Sequence, residues 1–170
     1  IMVKALQIDD PQKFSWWVSH LQTVLDDLQM VRVAERPEDR SLYLVLSYHS
    51  GMEVPAWLLS DGTLRFLALT LIAYLPNQNQ VFIIEEPENG IHPKAIEAVF
   101  DSLYSVYDGQ IFLATHSPLI LALAQPPDLL VFGKAPSGAT AVVNGPDHPA
   151  LREWQRETSL ETLFAAGVLG

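Results

Sequence analysis

Apolar positions near the start of the chain recur three and four residues apart. That spacing predicts an amphipathic helix packed on a core. Its apolar positions are Phe14, Trp17, Val18, Leu21, Leu25 and Leu28. Apolar runs separated by polar turns then predict strands over residues 31–34, 42–48 and 53–58. Together these strands predict a small antiparallel sheet at the N-terminal edge of the domain.

Strands and helices alternate through the rest of the chain. The run 64–75 is apolar almost all round, which predicts a buried helix ended by the polar turn 76–79. The runs 81–84 and 110–115 predict short strands buried on both faces, joined by a helix over 94–107. The later elements are predicted as a helix over 119–124, strands over 129–132 and 140–143, and helices over 150–155 and 160–165. This alternation predicts an α/β domain with a mainly parallel sheet, which binds ligands beyond the carboxyl ends of its strands.

A short polar motif, residues 59–65, begins the buried helix. Ser60 is a natural N-cap residue, and Gly62 allows a phosphate to approach the backbone closely. The free N–H groups and the positive dipole end of a helix N-terminus attract anions. An ordinary capped helix would explain the same residues about equally well.

Two adjacent acids, Glu85 and Glu86, end the apolar strand that begins at Val81. An unpaired charge is expensive to bury, so neighbouring acids at the end of a core strand indicate a use. One carboxylate can hold Mg²⁺, usually through water, and the next can orient and deprotonate an attacking water. The alternative is a solvated acidic loop that follows a core strand.

A histidine, His116, follows the second apolar strand of this region. At the carboxyl end of that strand its side chain can bond a terminal phosphate, and we expect it to face the same crevice as Glu86. Ser117 is predicted to cap the next helix, with Pro118 in the first turn. The alternative is a histidine with a structural hydrogen bond.

In this order the three motifs resemble those of the ABC-type ATPase superfamily. The closest branch is the non-transporter one, which includes SMC-like and RecF-like DNA-associated proteins, OLD-family nucleases and AAA-family ATPases of bacterial defence systems. The segment 59–65 resembles the signature motif, 83–88 the Walker B motif, 89–93 the D-loop and 114–118 the H-loop. The resemblance covers Leu58 to about Leu123, and the superfamily usually has Asp where Glu85 stands.

The resemblance implies ATP and Mg²⁺ as cofactors and assigns roles to individual residues. Glu86 would be the catalytic base, Glu85 the acid on the Mg²⁺ side, and His116 the sensor of the γ-phosphate. The residues implied in nucleotide contact are Ser60, Asp61, Gly62, Asn89, Gly90 and His92. Ser60 and Gly62 would contact an ATP held by a second head, so the resemblance also implies a homodimer that encloses two ATP molecules.

The phosphate-binding loop of the superfamily, G-x-x-x-x-G-K-S/T (Walker A), is absent from the sequence. Gly133 and Lys134 do not form it, because position 128 is Asp and no Ser or Thr follows the lysine. The loop normally lies upstream, and the chain begins with Ile1 rather than Met. We therefore expect a C-terminal part of an ABC-type head, whose Walker A lobe precedes Ile1 or belongs to another chain.

The expected fold is a single P-loop NTPase-like domain over residues 1–170. An edge helix and strands would occupy residues 1–57, the signature, Walker B and H-loop core residues 58–123, and the C-terminal strands and helices residues 124–170.

Composition narrows the functional classes. An apolar fraction of 49% with 18% charged residues fits a folded globular protein. The sequence has no cysteine, which excludes disulfides and thiolate metal sites and is compatible with the cytosol. No apolar run is long enough to predict a membrane span. The net charge of −10 makes this lobe a poor non-specific DNA surface, while DNA or an effector nuclease bound through other regions stays open.

We expect this chain to bind and hydrolyse ATP as part of a dimerising head, active only with the Walker A lobe and coupled to DNA repair, DNA processing or phage defence. One alternative is a non-hydrolysing interaction module that kept the fold and lost nucleotide binding, although a degenerate site has no reason to keep both Glu86 and His116. The other is a metal-dependent nuclease, which leaves the helix-cap motif unexplained. Its candidate residues would be Glu85, Glu86, Glu88, His92 and His116. Nucleotide titration with and without metal separates the three.

Overall fold

A computed structural model of the protein describes residues 2–76, 79–152 and 159–169. These residues form two compact units, which span residues 1–114 and 115–170. The first unit contains α1 (Met2–Asp9), α2 (Pro11–Gln22), β1 (Leu28–Glu35), β2 (Leu42–Tyr48), β3 (Glu53–Pro55), α3 (Asp61–Leu71), β4 (Val81–Glu85), α4 (Pro93–Tyr104) and β5 (Gln110–Ala114). The second contains α5 (Pro118–Leu123), β6 (Leu130–Lys134), β7 (Thr140–Asn144), α6 (Pro149–Arg152) and α7 (Leu160–Ala165).

The antiparallel sheet expected near the N-terminus is present, with the strand order β1-β2-β3. The helix predicted from the apolar positions 14–28 ends earlier than its pattern indicates, because α2 ends at Gln22 and Leu28 begins β1. The side-chain amide of Gln22 donates to the carbonyls of Leu28 and Gln29, both at 3.1 Å, where the chain turns from helix to strand. Leu28 is 1% exposed, so it joins the core as a strand residue.

The signature-like helix α3 packs against α2 in the core of the first unit. Phe66, Leu67 and Leu71 of α3 are buried. The indole N–H of Trp17 in α2, a residue with no exposed surface, donates to the Thr70 hydroxyl of α3 at 3.1 Å. This buried bond fixes the position of the helix whose first turn carries Ser60 and Gly62.

Strands β4 and β5 form a parallel pair in which Ile83 lies opposite Phe112. The prediction that both strands are buried on both faces is wrong for this structure. Along each strand exposed and half-buried residues alternate, so that only one face of the pair is covered within the first unit. We call the other side the open face; its large apolar residues are Val81, Ile83 and Phe112, which are 56%, 78% and 45% exposed.

A mainly parallel sheet was also expected, and the described residues do not form one. They form three separate sheets, and β4–β5 is their only parallel ladder; β1–β2, β2–β3 and β6–β7 are antiparallel. Strands alternate with helices along the chain, as the α/β class predicts. In the part of the chain that the structure describes, however, β4 and β5 pair only with each other and not with further parallel strands.

The second unit has a small core of its own. Leu151, Leu160 and Leu169 are buried there, and Phe164 packs against them. The helix predicted over 160–165 is present with these bounds as α7. The helix predicted over 150–155 is seen as α6; its remaining residues lie outside the described part, as do positions 77 and 78 of the predicted turn.

Helices of the described residues are short. The two longest, α2 and α4, have 12 residues each. Crossing a bilayer takes roughly 20 apolar residues in a helix, and none of the described helices meets that requirement.

Candidate functional site

The two acids lie where β4 ends. Glu85 is the last residue of the strand, and the N–H of Glu86 extends the ladder by donating to the carbonyl of Ala114 at 2.8 Å. Glu86 has a φ of 45°, a left-handed conformation that is uncommon for residues other than glycine. Pro87 follows and is fully buried. Such a conformation persists only where the surrounding contacts fix it, and it tends to occur at functional sites.

Two successive turns connect Glu86 to α4. The N–H of Asn89 donates to the carbonyl of Glu86 at 3.0 Å, and the N–H of Ile91 donates to that of Glu88 at 3.0 Å. Gly90 supplies a φ of 73°, which glycine adopts without steric cost. Ile91 is 7% exposed and anchors the second turn in the core. The D-loop-like segment is therefore a defined turn, with Asn89 and Gly90 exposed at its tip.

His92 occupies the N-cap position of α4. Its Nδ1 accepts a hydrogen bond from the N–H of Lys94 at 3.2 Å, and Pro93 fills the first helical position. The imidazole is exposed. This contact gives His92 a helix-capping role, which sequence reasoning did not assign to it; its implied contact with a nucleotide stays a prediction.

The first turn of α3 lies against the D-loop-like turn. A methyl group on Gly62 would overlap the carbonyl oxygen of Gly90, so only glycine allows the two segments to approach this closely. Three residues further on, Nη1 of Arg65 donates to the carbonyl oxygen of Asn89 at 3.1 Å. The structure thus brings the predicted residues of the signature motif and of the D-loop together within one chain.

The N-terminus of α3 is capped and accessible. Ser60 Oγ accepts from the N–H of Thr63 at 3.1 Å, as the sequence predicts for an N-cap. Both Ser60 and Asp61 are exposed. Arg65, which the sequence analysis did not single out, is the functional candidate that it missed. The sequence shows that Arg65 lies inside the motif, but it does not indicate that Arg65 contacts Asn89.

His116 lies in the second unit, in the segment before α5. Its ring stacks on that of Phe164 in α7, with a centroid distance of 6.2 Å and an interplanar angle of 29°. Ser117 has the N-cap position of α5 but no side-chain capping bond among the described residues; its N–H donates to Thr115 Oγ1 at 2.9 Å instead. The expectation that His116 and Glu86 face one crevice stays a prediction.

The donor set at the end of β4 is suited to a hard cation. Mg²⁺ in phosphate sites is usually held by one or two carboxylates, with phosphate and water completing the shell. Glu85 is exposed and Glu86 is half-buried, so neither side chain is closed off from solvent, and both fit a Mg²⁺ site that includes phosphate and water. Within the described ranges, no group of three or more His, Asp or Glu side chains could hold a metal ion by itself.

A cavity of about 440 Å³ lies elsewhere in the first unit. Its lining residues are Met2, Ala5, Leu6, Asp9, Asp10, Lys13, Tyr74, Leu75, Pro76 and Gln80. None of them belongs to the signature-like, Walker B-like or H-loop-like motifs, so the cavity is separate from the candidate site.

Comparison with known proteins assigns this α/β chain to a family. A family model described as "AAA domain, putative AbiEii toxin, Type IV TA system" matches residues 17–122, well over half of the chain, and the chain belongs to that family. It also resembles a solved chain from structural work on ATP-driven dimerization and DNA-stimulated activation of SMC ATPases. That likeness has a TM-score of 0.53 at 14% identity and covers 92% of this chain and 99% of the other, which shows a shared fold. Among curated proteins none matches.

Proposed function

We propose that this chain is part of an ABC-type ATPase head that binds and hydrolyses ATP with Mg²⁺. The observation that carries the proposal is the conformation of Glu86. Its backbone is bonded on one side to Ala114 and on the other to Asn89, in a left-handed turn directly after a strand. In the proposed function, this fixed backbone places the Glu86 side chain where its carboxylate can orient a water molecule.

The chemistry follows from the positions of the two acids. Glu86 accepts a proton from the water whose oxygen bonds to the γ-phosphorus, while the bond from that phosphorus to the ADP oxygen breaks. Glu85 is the proposed ligand on the metal side. Bound Mg²⁺ would neutralise charge on the phosphate oxygens.

The Walker A lobe is the first proposed partner, and the open face of β4–β5 is its proposed docking surface. Glu85 follows the same alternation as Val81 and Ile83, and all three are exposed. A lobe packed on these apolar side chains would exclude water from them and would lie beside Glu85.

A second head is the other proposed partner. Ser60 and Asp61 are exposed at the N-terminus of an eleven-residue helix, where a phosphate would meet free N–H groups. The SMC ATPase chain with the similar fold comes from work on ATP-driven dimerization. That work also concerns activation by DNA, and the family description names a toxin of a toxin–antitoxin system. We therefore propose coupling of the homodimer to DNA processing, DNA repair or phage defence.

The proposal is tested with Glu86→Gln in the complete ATPase, meaning this chain together with the Walker A lobe. Glutamine keeps the size of the side chain but cannot take the proton. Hydrolysis should fall by about 10²-fold or more, while ATP binding persists and the ATP-bound dimer accumulates. Turnover rate, ATP affinity and oligomeric state are measured side by side.

Turnover of Glu86→Gln within a few-fold of wild type would remove Glu86 as the base. Loss of both ATP binding and hydrolysis in the wild-type complete ATPase would favour an interaction module. DNA cleavage that needs a divalent metal but no nucleotide would favour a nuclease, for which the described residues offer no cluster of metal ligands.

A further inference from the structure

Arg65 connects helix α3 to the turn that carries Glu86. Its guanidinium Nη1 donates to the carbonyl oxygen of Asn89 at 3.1 Å. The N–H of the same Asn89 donates to the carbonyl oxygen of Glu86 at 3.0 Å. Asn89 therefore links the two groups: it is hydrogen-bonded both to the Arg65 side chain and to the backbone carbonyl of Glu86, the proposed catalytic base.

The arginine bonds a peptide group although an acid is close in sequence. Asp61 precedes Arg65 by four residues on α3, a spacing at which helical side chains can pair. Within the described residues no ion pair joins them; the ion pairs found there include Lys13–Asp10, Arg32–Glu53 and Arg36–Asp39. A charged donor bonds a carbonyl more strongly than a neutral one does, so the contact to Asn89 is well suited to fix the turn.

A second contact holds the same two segments together. Gly62, one helical turn before Arg65, lies against the carbonyl of Gly90, and a side chain there would overlap it. The turn is thus fixed to α3 at two neighbouring peptides, those of Asn89 and Gly90. Since Glu86 has a left-handed backbone, its conformation depends on such surrounding contacts.

We propose that Arg65 is a positioning residue for ATP hydrolysis. By holding the Asn89 carbonyl it fixes the turn that begins at Glu86, and so it sets the direction of the Glu86 carboxylate. Arg65 touches neither the nucleotide nor the attacking water in this role. The inference rests on the proposed function, because it assigns to Arg65 the orientation of the proposed base.

The test compares Arg65→Ala with Arg65→Lys in the complete ATPase. A misplacement of a catalytic group by about 1 Å can cost up to roughly 10²-fold in rate, so Arg65→Ala should lower kcat by about 10-fold or more. KM for ATP should stay within about 2-fold, since no nucleotide contact is removed. Arg65→Lys should recover most of kcat, because an ammonium can still donate to one carbonyl oxygen.

Amide hydrogen exchange of residues 86–91 is measured on the same proteins without nucleotide. Arg65→Ala should exchange faster there than wild type, and Arg65→Lys should not. Lys134→Ala serves as the control, because it removes an exposed cation in the second unit and should change neither kcat nor exchange in this segment.

Wild-type kcat and unchanged exchange in Arg65→Ala would overturn the inference. So would a parallel loss of kcat, ATP affinity and melting temperature that Arg65→Lys fails to restore, since this is the signature of a general structural role. If the wild-type protein does not hydrolyse ATP, the proposed function fails. In that case the exchange data still decide whether Arg65 holds the turn: faster exchange in Arg65→Ala supports that contact, and unchanged exchange refutes it.

Discussion

At the scale of single residues, His116 has two possible roles that the structure makes separable. Its ring stacks on Phe164, which would account for a purely structural histidine. In the proposed function the same imidazole contacts the γ-phosphate, a group that ADP lacks. The two roles differ in which nucleotide is affected when the side chain is removed.

In His116→Ala of the complete ATPase we expect hydrolysis to fall sharply while ADP affinity hardly changes. The transition-state charge lies on the transferred phosphoryl group, which would lose a donor. Phe164→Leu is the matched control, because it removes the ring contact but keeps the imidazole and an apolar side chain. Turnover, ADP affinity and melting temperature are compared for both variants. Equal effects of the two substitutions on all three would identify His116 as structural.

Some residue-level features follow from the sequence and others do not. The N-cap of Ser60 and the two acids at the end of β4 were predictable, because caps and strand ends depend on neighbours in the chain. The contact of Arg65 with Asn89 joins residues 24 positions apart. Nothing in the local pattern of either residue indicates it, since it exists only after α3 has packed beside the turn.

At the scale of elements, hydrophobic patterning located the strands better than it described their surroundings. The bounds of β2 and α7 agree with the pattern. Apolar residues in β4 and β5 suggested burial on both faces, yet one face of the pair is open in the first unit. Periodicity shows which residues are apolar but not which element of the fold covers them. For the same reason the pattern placed Leu28 in a helix: an apolar residue at that spacing is equally compatible with a buried position in a strand.

The junction of α3 with the D-loop-like turn gives an element-level prediction. Gly62→Ala should lower the free energy of unfolding by about 1–3 kcal/mol, because the new methyl group would overlap the Gly90 carbonyl and force the segments apart. Gly133→Ala is the control, since a methyl group at Gly133 would meet open space. Urea unfolding of this chain measures both. Equal stability of the two variants would show that the close approach at Gly62 is not required.

This packing role also bears on the two-head model. A bulky residue at Gly62 would disturb the fold as well as the approach of a phosphate from a second head. Ser60 is exposed, so Ser60→Arg tests the anion site with less disturbance of the core. ATP-driven dimerisation of normal affinity in that variant would contradict the model.

At the scale of the whole molecule, the open face of β4–β5 ties the fold to the proposed function. Ile83 lies at its centre and is 78% exposed, so a charge there should leave the stability of this chain nearly unchanged. If the Walker A lobe packs on that face, Ile83→Glu would place a carboxylate in an apolar interface, where desolvation is costly. We therefore expect Ile83→Glu to abolish ATP binding by the complete ATPase.

Tyr107→Glu is the control for Ile83→Glu, because Tyr107 is 89% exposed and does not belong to the open face. Unfolding of this chain and ATP affinity of the complete protein are measured for both variants. Normal ATP binding by Ile83→Glu would show that the lobe docks elsewhere, and equal losses in the two variants would point to a general effect of added negative charge.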